Sequence, residues 1–155
     1  MKAPLRYDFA SFSTEAQAVC PERVFTDFLH RYAYGVDASC YSYVPQVVVK
    51  ANNEAEVIRI LKLANQYGTP VTFRAAGTSL SGQASSEHVL VVANDGFKRM
   101  EVLDGGKALR CDCGVIGSDA NEKLAPYGRK IGPDPATIAS ALVGGIFNNN
   151  SSGMC

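Results

Sequence analysis

Three short apolar runs between residues 47 and 92 predict strands. Residues 47–49 are all valine, which is typical of a strand buried on both faces. Residues 71–73 and 89–92 predict two further strands. The crossover between the first two has about the length that a right-handed βαβ unit requires.

A helix is predicted between the first two strands. Glu56 follows Asn53 at the spacing of a capping box, and Gly68 ends the helix just before Pro70. Four apolar residues lie on one face at helical spacing: Val57, Ile60, Leu61 and Ala64.

The pattern changes to alternation after residues 94–96, whose sequence Asn-Asp-Gly signals a turn. Residues 98–103 and 108–113 alternate with period two, as in an antiparallel hairpin. We therefore predict an α+β fold, with a small α/β sub-sheet near residues 45–93 and a mainly antiparallel sub-sheet that begins near residue 97.

Helices are also expected outside this central region. Residues 118–124 predict a short one, and Ile138, Ala141, Leu142 and Ile146 predict another, whose glycines 144 and 145 allow close approach of its backbone. Residues 1–40 are interpreted as a separate leader with one amphipathic helix, which Pro21 and Glu22 open and Gly35 ends. Its apolar residues are Val24, Phe25, Phe28, Leu29 and Tyr32. Four tyrosines are expected to seal the helix end against the next domain: Tyr32, Tyr34, Tyr41 and Tyr43.

Composition and charge exclude several classes of protein. The 155 residues suffice for one domain with a hydrophobic core, and 15 basic residues balance 15 acidic ones. No long-range positive field therefore attracts nucleic acid. The N-terminus lacks the apolar run of a secretory signal, and the most apolar stretch, residues 138–147, is about half as long as a membrane span.

The five cysteines predict free thiols in a reducing compartment. Their number is odd, and they form no CxxC pair and no cluster with histidine, so we assign no metal site. Cys111 and Cys113 should point to the same face of one strand, which is a poor geometry for a disulfide. We expect a cytoplasmic protein, with attachment at the inner membrane in the full-length form as an alternative.

The segment after the second strand is built like an anion cradle. It carries one cation, Arg74, and then small or hydroxyl residues up to Gln83. Gly77 and Gly82 permit positive φ, so that successive N–H groups can converge on a diphosphate. A plain Gly/Ser surface loop is the alternative. A P-loop is excluded, since Gln83 and Ala84 stand where it needs Lys and Ser or Thr.

A second candidate segment consists of residues 132–137 and 144–153. Two prolines stiffen its first loop, and its Asn/Ser/Gly run tolerates left-handed conformations while it offers neutral donors and acceptors. Such groups suit a flat heterocycle or a polyol. A flexible tail is the alternative for the second stretch.

Together these segments make the chain resemble the FAD-binding PCMH-type domain of the vanillyl-alcohol-oxidase type, in its D-lactate and 2-hydroxyglutarate dehydrogenase branch. The resemblance covers about residues 40–155, through residues 47–49, 72–83, 130–138 and 144–155. Residues 31–39 resemble the start of large bacterial members, which often carry a C-terminal iron–sulfur module. The resemblance implies domains at residues 1–40 and 41–155, the second being the N-terminal part of a truncated FAD-binding domain.

The resemblance also implies cofactor contacts. The residues at the pyrophosphate would be Arg74, Ala75, Ala76, Gly77, Thr78, Ser79, Leu80, Gly82 and Gln83. Those on the ribityl and ring side would be Pro133, Asp134, Pro135, Thr137, Gly144, Gly145, Asn149, Ser151 and Gly153. Some relatives bind flavin covalently through a histidine where this chain has Thr78, so the flavin here should be non-covalent.

The implied function is oxidation of a 2-hydroxy acid by hydride transfer to flavin N5. The carboxylate clamp and the catalytic base lie in later segments of the resembling enzymes, so we expect this chain to be a fragment that is inactive alone and contains no catalytic residue. A nucleotide-binding regulatory or interaction module without redox turnover is the alternative. A nucleotide-sugar reductase of the same fold would need an NADPH site that the residues do not show.

Overall fold

The computed structural model describes residues 7–153, which form two sheets and five α-helices. The four-stranded sheet has the order β1-β2-β4-β3, and β5 and β6 form a separate hairpin. The strands are β1 Val24–Phe25, β2 Val47–Lys50, β3 Val71–Arg74, β4 Val89–Val92, β5 Met100–Leu103 and β6 Ala108–Cys111. The helices are α1 Phe9–Val19, α2 Phe28–Ala33, α3 Glu54–Gln66, α4 Gly117–Leu124 and α5 Val143–Asn148.

Parallel strands form the centre of the larger sheet. β4 lies between β2 and β3 and is parallel to both, with Leu90 paired to Val48 on one side and to Thr72 on the other. The side chains of β4 are buried along its whole length. The three predicted strands and the change to an antiparallel hairpin are confirmed, and with them the mixed α/β architecture.

The two faces of this sheet are covered unequally. Val47, Val49, Val89 and Val91 belong to the larger core cluster, which α1 and α3 complete through Phe12, Ala16, Ile60 and Ala64. The opposite face contributes Val48, Leu90 and Val92, against which Phe25 and Tyr34 pack. Because neighbouring residues of a strand point to opposite faces, each valine run supplies both clusters.

The helix α3 begins as predicted. The side chain of Asn53 accepts a hydrogen bond from the N–H of Glu56 at 2.9 Å, while the Glu56 carboxylate accepts one from the N–H of Asn52 at 2.8 Å. The predicted apolar face is wrong at one position: Leu61 is 41% exposed, and Leu63 packs against the core in its place. Leu61 and Leu63 lie on opposite sides of the stripe that Ile60 and Ala64 set, at equal angles from it, so helical spacing does not decide which of the two is buried.

The prediction of one helix in the leader is wrong. Residues 24–25 form β1, which pairs antiparallel with β2, and only Phe28–Ala33 are helical in that stretch. The pattern of α1 was missed, although Asp8 caps it by accepting from the N–H of Ser11 at 3.0 Å. Pairing with a buried strand outweighs the helical spacing of residues 24 and 25. The division at residues 40 and 41 stays a prediction, although residues before it share the core of the sheet.

The prediction of one helix through residues 138–146 is also wrong. The N–H groups of Ile138 and Ala141 bond to the carbonyls of Pro135 and Thr137, which forms turns. Leu142 is extended and pairs with Ile116, and α5 begins only after it. The apolar residues at helical spacing therefore belong to two separate elements, the turns before Leu142 and the helix α5.

The predicted seal of tyrosines is only partly formed. Tyr34 packs against the sheet, whereas Tyr32, Tyr41 and Tyr43 are exposed and the rings of Tyr41 and Tyr43 stack on each other.

Within the described residues, four cysteines are free: Cys20, Cys40, Cys111 and Cys113. No helix of residues 7–153 has the length and apolarity needed to cross a bilayer.

An ion pair fixes the leader to α3. Arg23 donates two hydrogen bonds to the Glu56 carboxylate, at 2.7 and 2.9 Å, and a third to the carbonyl of Lys50 at 2.9 Å. These hydrogen bonds from Arg23, together with the N–H of Asn52, hold the pKa of Glu56 at about 2, although burial acts in the opposite direction. The pair thereby joins β1, β2 and the start of α3.

Replacing Glu56 by glutamine should destabilise the fold in a pH-dependent way. The pKa in the folded state lies below the ordinary 4.5, so the charged carboxylate stabilises the fold fully above pH 4.5, and this contribution is lost as the pH falls toward 2. We expect Glu56→Gln to lower the free energy of unfolding by about 2 kcal/mol at neutral pH, and by less in acid. Denaturant unfolding at several pH values measures this.

The matched control is Glu101→Gln, which removes a carboxylate that pairs with Arg110 on the exposed hairpin surface. Its effect should be small at every pH, because exposed pairs contribute little. An equal loss from Glu56→Gln at neutral and acidic pH would contradict the assignment of this stability to the ionised carboxylate.

Candidate functional site

The predicted cradle is the connection between β3 and β4. These strands are parallel neighbours, so residues 75–88 must return from the carboxyl end of β3 to the amino end of β4. Such a crossover is usually a helix, but this one contains neither helix nor strand. Irregular connections of this length are usually functional, and ligands of α/β sheets bind outside the carboxyl ends of strands.

Two glycines give this loop its path. Gly77 and Gly82 have φ values of 74° and 75°, which confirms the predicted need for left-handed backbone at both positions. Neither position has room for a side chain. A Cβ at Gly77 would overlap the Arg74 guanidinium, and one at Gly82 would lie 2.8 Å from the ring of Tyr41.

The loop presents unpartnered donors. Among residues 7–153, no protein acceptor bonds to the amides of Ala76, Gly77, Thr78, Ser79 or Leu80. The side chain of Ser79 bonds to that of Gln83, and the N–H of Ser81 donates to the Ser79 hydroxyl at 3.2 Å. A run of free backbone N–H groups beside left-handed glycines is the arrangement that binds phosphate oxygens, so the residues fit a diphosphate.

The guanidinium of Arg74 turns back into the protein. Its Nη1 donates to the carbonyls of Val36 at 2.8 Å and Ala84 at 3.1 Å, and the carbonyl of Tyr34 lies farther away at 3.5 Å. Its Cζ lies 5.6 Å from the centre of the Tyr34 ring. Burial lowers the pKa of Arg74, against the effect of nearby Asp37. Contact of Arg74 with a phosphate therefore stays a prediction.

Residues of the leader support the loop from outside. The N–H of Ala38 donates to the carbonyl of Gly77 at 3.0 Å, and the N–H of Ala84 donates to Oδ2 of Asp37 at 3.4 Å. Burial raises the pKa of Asp37, but hydrogen bonds from Ser39 and Ala84 and the charge of Arg74 outweigh it, so the pKa is lowered. No sequence pattern predicts this support, because the contacts are made mainly by backbone atoms.

The second candidate segment lies beside the first. Gln83 donates to the Asn149 side chain at 3.0 Å, and a Cβ at Gly145 would lie 3.7 Å from the Cβ of Ala75. Gly144 confirms the predicted close approach, because a Cβ there would lie 2.7 Å from that of Cys113. The loop after β3 and the two ends of α5 thus meet across 66 residues of sequence.

The Asn/Ser/Gly run forms a helix cap. Asn150 has a φ of 46°, its N–H bonds to the carbonyl of Phe147 at 3.0 Å, and the N–H of Ser151 bonds to that of Ile146 at 2.9 Å. This is a Schellman motif, which asparagine can adopt in the left-handed position. The predicted left-handed backbone is therefore confirmed at Asn150.

The proline-containing loop completes the cluster. A Cβ at Gly153 would overlap the carbonyl of Asp134, so residues 132–135 contact the end of the second stretch. Pro135 is buried, and Thr137 accepts the turn hydrogen bonds from Ser140 and Ala141. Pro133 and Leu80 are exposed, Leu80 to 78%. All three predicted stretches lie in one region, and the assignment of each residue to FAD stays a prediction.

Neither histidine belongs to this region. His30 bonds to Asp27 at the start of α2, and the ring of His88 contacts that of Tyr7 edge-on at 5.1 Å. Among the described residues, no group of three or more His, Cys, Asp and Glu side chains is arranged to hold a metal ion. Two shallow surface cavities, one between Met100 and Tyr127 and one between Asn53 and Cys113, lie outside the three stretches.

Comparison with known proteins gives related sequences. The chain is 30% identical over 132 residues to D-2-hydroxyglutarate dehydrogenase of Escherichia coli (strain K12), a match that covers 83% of this chain and 13% of that protein. It is 34% identical over 109 residues to D-lactate dehydrogenase of Archaeoglobus fulgidus, covering 70% of this chain and 24% of that protein. The chain therefore spans less than a quarter of the length of either relative.

Among solved structures, alkyldihydroxyacetonephosphate synthase has the same fold over 99% of this chain and 32% of its own, with a TM-score of 0.77 and 21% identity. A family model described as an FAD binding domain matches residues 45–155. These residues include all three predicted stretches. The chain belongs to this FAD binding domain family, whose cofactor is FAD.

Proposed function

We propose that this chain forms the pyrophosphate-binding part of a flavin-dependent dehydrogenase that oxidises a 2-hydroxy acid. The observation that carries the proposal is the row of unpartnered amides at residues 76–80, beside the left-handed glycines 77 and 82, in an FAD binding domain. Each hydrogen bond to a charged oxygen contributes about 1.5–3 kcal/mol. Several such bonds can hold a dinucleotide without a cluster of lysines.

The roles of the three stretches follow from their chemistry. Residues 75–83 would hold the pyrophosphate through backbone N–H groups, including that of Ser79, and through the hydroxyl of Thr78. Residues 133–137 and 144–153 would line the ribityl and ring side. Asn149 is bonded to Gln83, so it couples the two sides. FAD, when bound, supplies the acceptor for a hydride.

The substrate class is proposed from the relatives. D-2-hydroxyglutarate dehydrogenase and D-lactate dehydrogenase are named for 2-hydroxy acids, and both match this chain over at least 70% of its length. We assign no catalytic group to residues 7–153. Nothing favours the regulatory alternative, whereas the family match favours a flavoprotein.

Partners and location belong to the same proposal. An iron–sulfur module elsewhere in the protein is supported by the resemblance of residues 31–39 to large bacterial members. The free thiols of the described cysteines support a cytoplasmic location. Peripheral attachment to the inner membrane is the alternative.

Gly77→Ala should weaken FAD binding about tenfold or more. The new methyl group meets the Arg74 guanidinium, and alanine disfavours the φ of 74° that the present path of the loop requires. The loop must therefore change its path, which weakens binding. The matched control is Gly68→Ala, where φ is 64° and nothing lies within 4 Å of the added Cβ. It carries the same backbone strain at the end of α3, so its FAD affinity should equal that of the wild type.

Quenching of flavin fluorescence on titration with the 155-residue chain measures both affinities. Equal losses in the two variants would show that general strain, and not the cradle, governs binding. Absence of binding by both this chain and the full-length protein would argue against the pyrophosphate assignment, since the resemblance implies that later segments complete the site.

Denaturation should release the flavin unchanged. Thr78 occupies the position from which a histidine forms the covalent link in some relatives, and a threonine hydroxyl cannot form that bond. After acid precipitation of the natural holoprotein, the flavin should appear in the supernatant. Flavin that stays with the precipitated protein would contradict this prediction.

A 2-hydroxy acid should bleach the visible flavin absorbance of the natural holoprotein under anaerobic conditions. D-lactate, glycolate and D-2-hydroxyglutarate form the test panel, and the corresponding 2-oxo acids are the controls, since they carry no hydride to donate. Bleaching by one member supports the dehydrogenase. If a tightly bound flavin responds to none of them, the proposed substrate class is wrong.

A further inference from the structure

The Arg74 guanidinium is the centre of a connection between the leader and the cradle. Its Nη1 donates to the carbonyl of Val36 on the leader side, with that of Tyr34 farther away, and to that of Ala84 at the far end of the loop. Its Nη2 lies beneath Gly77, where a Cβ would overlap it. One side chain thus contacts both ends of the loop and the segment outside it.

Asp37 makes the complementary contacts from the leader. Its Oδ1 accepts from the N–H of Ser39 at 2.9 Å, and its Oδ2 accepts from the N–H of Ala84 at 3.4 Å. The adjacent N–H of Ala38 donates to the carbonyl of Gly77 at 3.0 Å. Residues 34–38 and 74–84 are therefore joined by hydrogen bonds in both directions, and we call this set of contacts the brace.

The geometry separates two possible roles of Arg74. A guanidinium that binds phosphate directs its donors toward the ligand and makes paired bonds to its oxygens. Here Nη1 is directed at three backbone carbonyls, and the side chain is half-buried between Tyr34 and Gly77. Carbonyl oxygens that face each other are repelled by their partial negative charges, and the guanidinium removes that repulsion.

We propose that Arg74 and Asp37 are positioning residues, which set the path of the loop and thereby aim the amides of residues 76–80 at the FAD pyrophosphate. The inference rests on the proposed function and goes beyond it, because it assigns a role in FAD binding to residues 34–38. These residues precede the region that the family model matches.

The sign of the effect of Asp37 distinguishes the brace from a simple charge effect. A carboxylate near a diphosphate repels it, so its removal should strengthen binding if Asp37 acts only through its charge. The brace requires the opposite result, because asparagine keeps only one acceptor oxygen for the N–H groups of Ser39 and Ala84. A weaker FAD complex in Asp37→Asn therefore cannot come from electrostatic repulsion.

The experiment compares the 155-residue chain with Asp37→Asn, Asp37→Glu, Arg74→Lys and the control Glu101→Gln. FAD affinity is measured by fluorescence titration. We expect Asp37→Asn to weaken binding by about fivefold or more, Asp37→Glu to restore part of that loss, and Glu101→Gln to have no effect. Arg74→Lys should weaken binding, because the single ammonium group of lysine cannot both bond to these carbonyls and lie beneath Gly77 as the planar guanidinium does.

A second measurement needs no ligand. Amide hydrogen exchange by NMR reports directly on the N–H groups of Ala38 and Ala84, with Val48 and Leu90 in the sheet as internal references. We expect faster exchange at Ala38 and Ala84 in Asp37→Asn and in Arg74→Lys, with unchanged exchange at the references.

Each of these measurements can overturn the inference. Unchanged or tighter FAD binding by Asp37→Asn would overturn it, as would unchanged exchange at Ala38 and Ala84. Unchanged FAD affinity in Arg74→Lys would also overturn it, since the positive charge alone would then account for the role of Arg74. If the isolated chain fails to bind FAD, the affinities are measured in the full-length protein with the same substitutions. If that protein also fails to bind FAD, the proposed function fails separately, and the exchange rates still decide whether the brace holds the loop.

Discussion

The fold depends on the placement of β4 between β2 and β3. This strand is parallel to both neighbours and its side chains are all buried, so β3 and β4 need a connection that runs the full length of the sheet. The chain makes this connection with an irregular loop in place of a helix. A loop has free N–H groups where a helix would use them internally, and the sheet therefore creates a row of donors at residues 76–80 beside its carboxyl edge.

A loop of this kind has a definite path only if other groups fix it. Gly77 and Gly82 make the left-handed turns possible, while Arg74, Asp37 and the backbone of Ala38 hold the result in place. The contact of Gln83 with Asn149 extends the same surface to the cap of α5. The leader, the parallel sheet and the second half of the chain therefore contribute to one region, which is the region expected to hold FAD.

Sequence reasoning succeeded where a local pattern determines the structure. The valine runs, the Asn53 cap, the hairpin turn and the glycines at positions 77 and 82 each follow from periodicity or from backbone freedom, and all are present. It failed where tertiary contacts determine the secondary structure. Residues 24 and 25 have helical spacing but pair with β2. Leu142 pairs with Ile116 and interrupts the expected helix. Arg74 was identified as important, but its carbonyl partners could not be predicted, because backbone acceptors have no sequence signature.

The most direct test of the central claim is the change in amide NMR shifts when FAD is added to the isotope-labelled chain. We expect the largest shifts on the amides of residues 76–80 and little change at the buried strand residues Val48 and Leu90. ADP should reproduce these shifts through its diphosphate. Shifts that spare residues 76–80 and cluster elsewhere would contradict the claim that this loop binds the pyrophosphate.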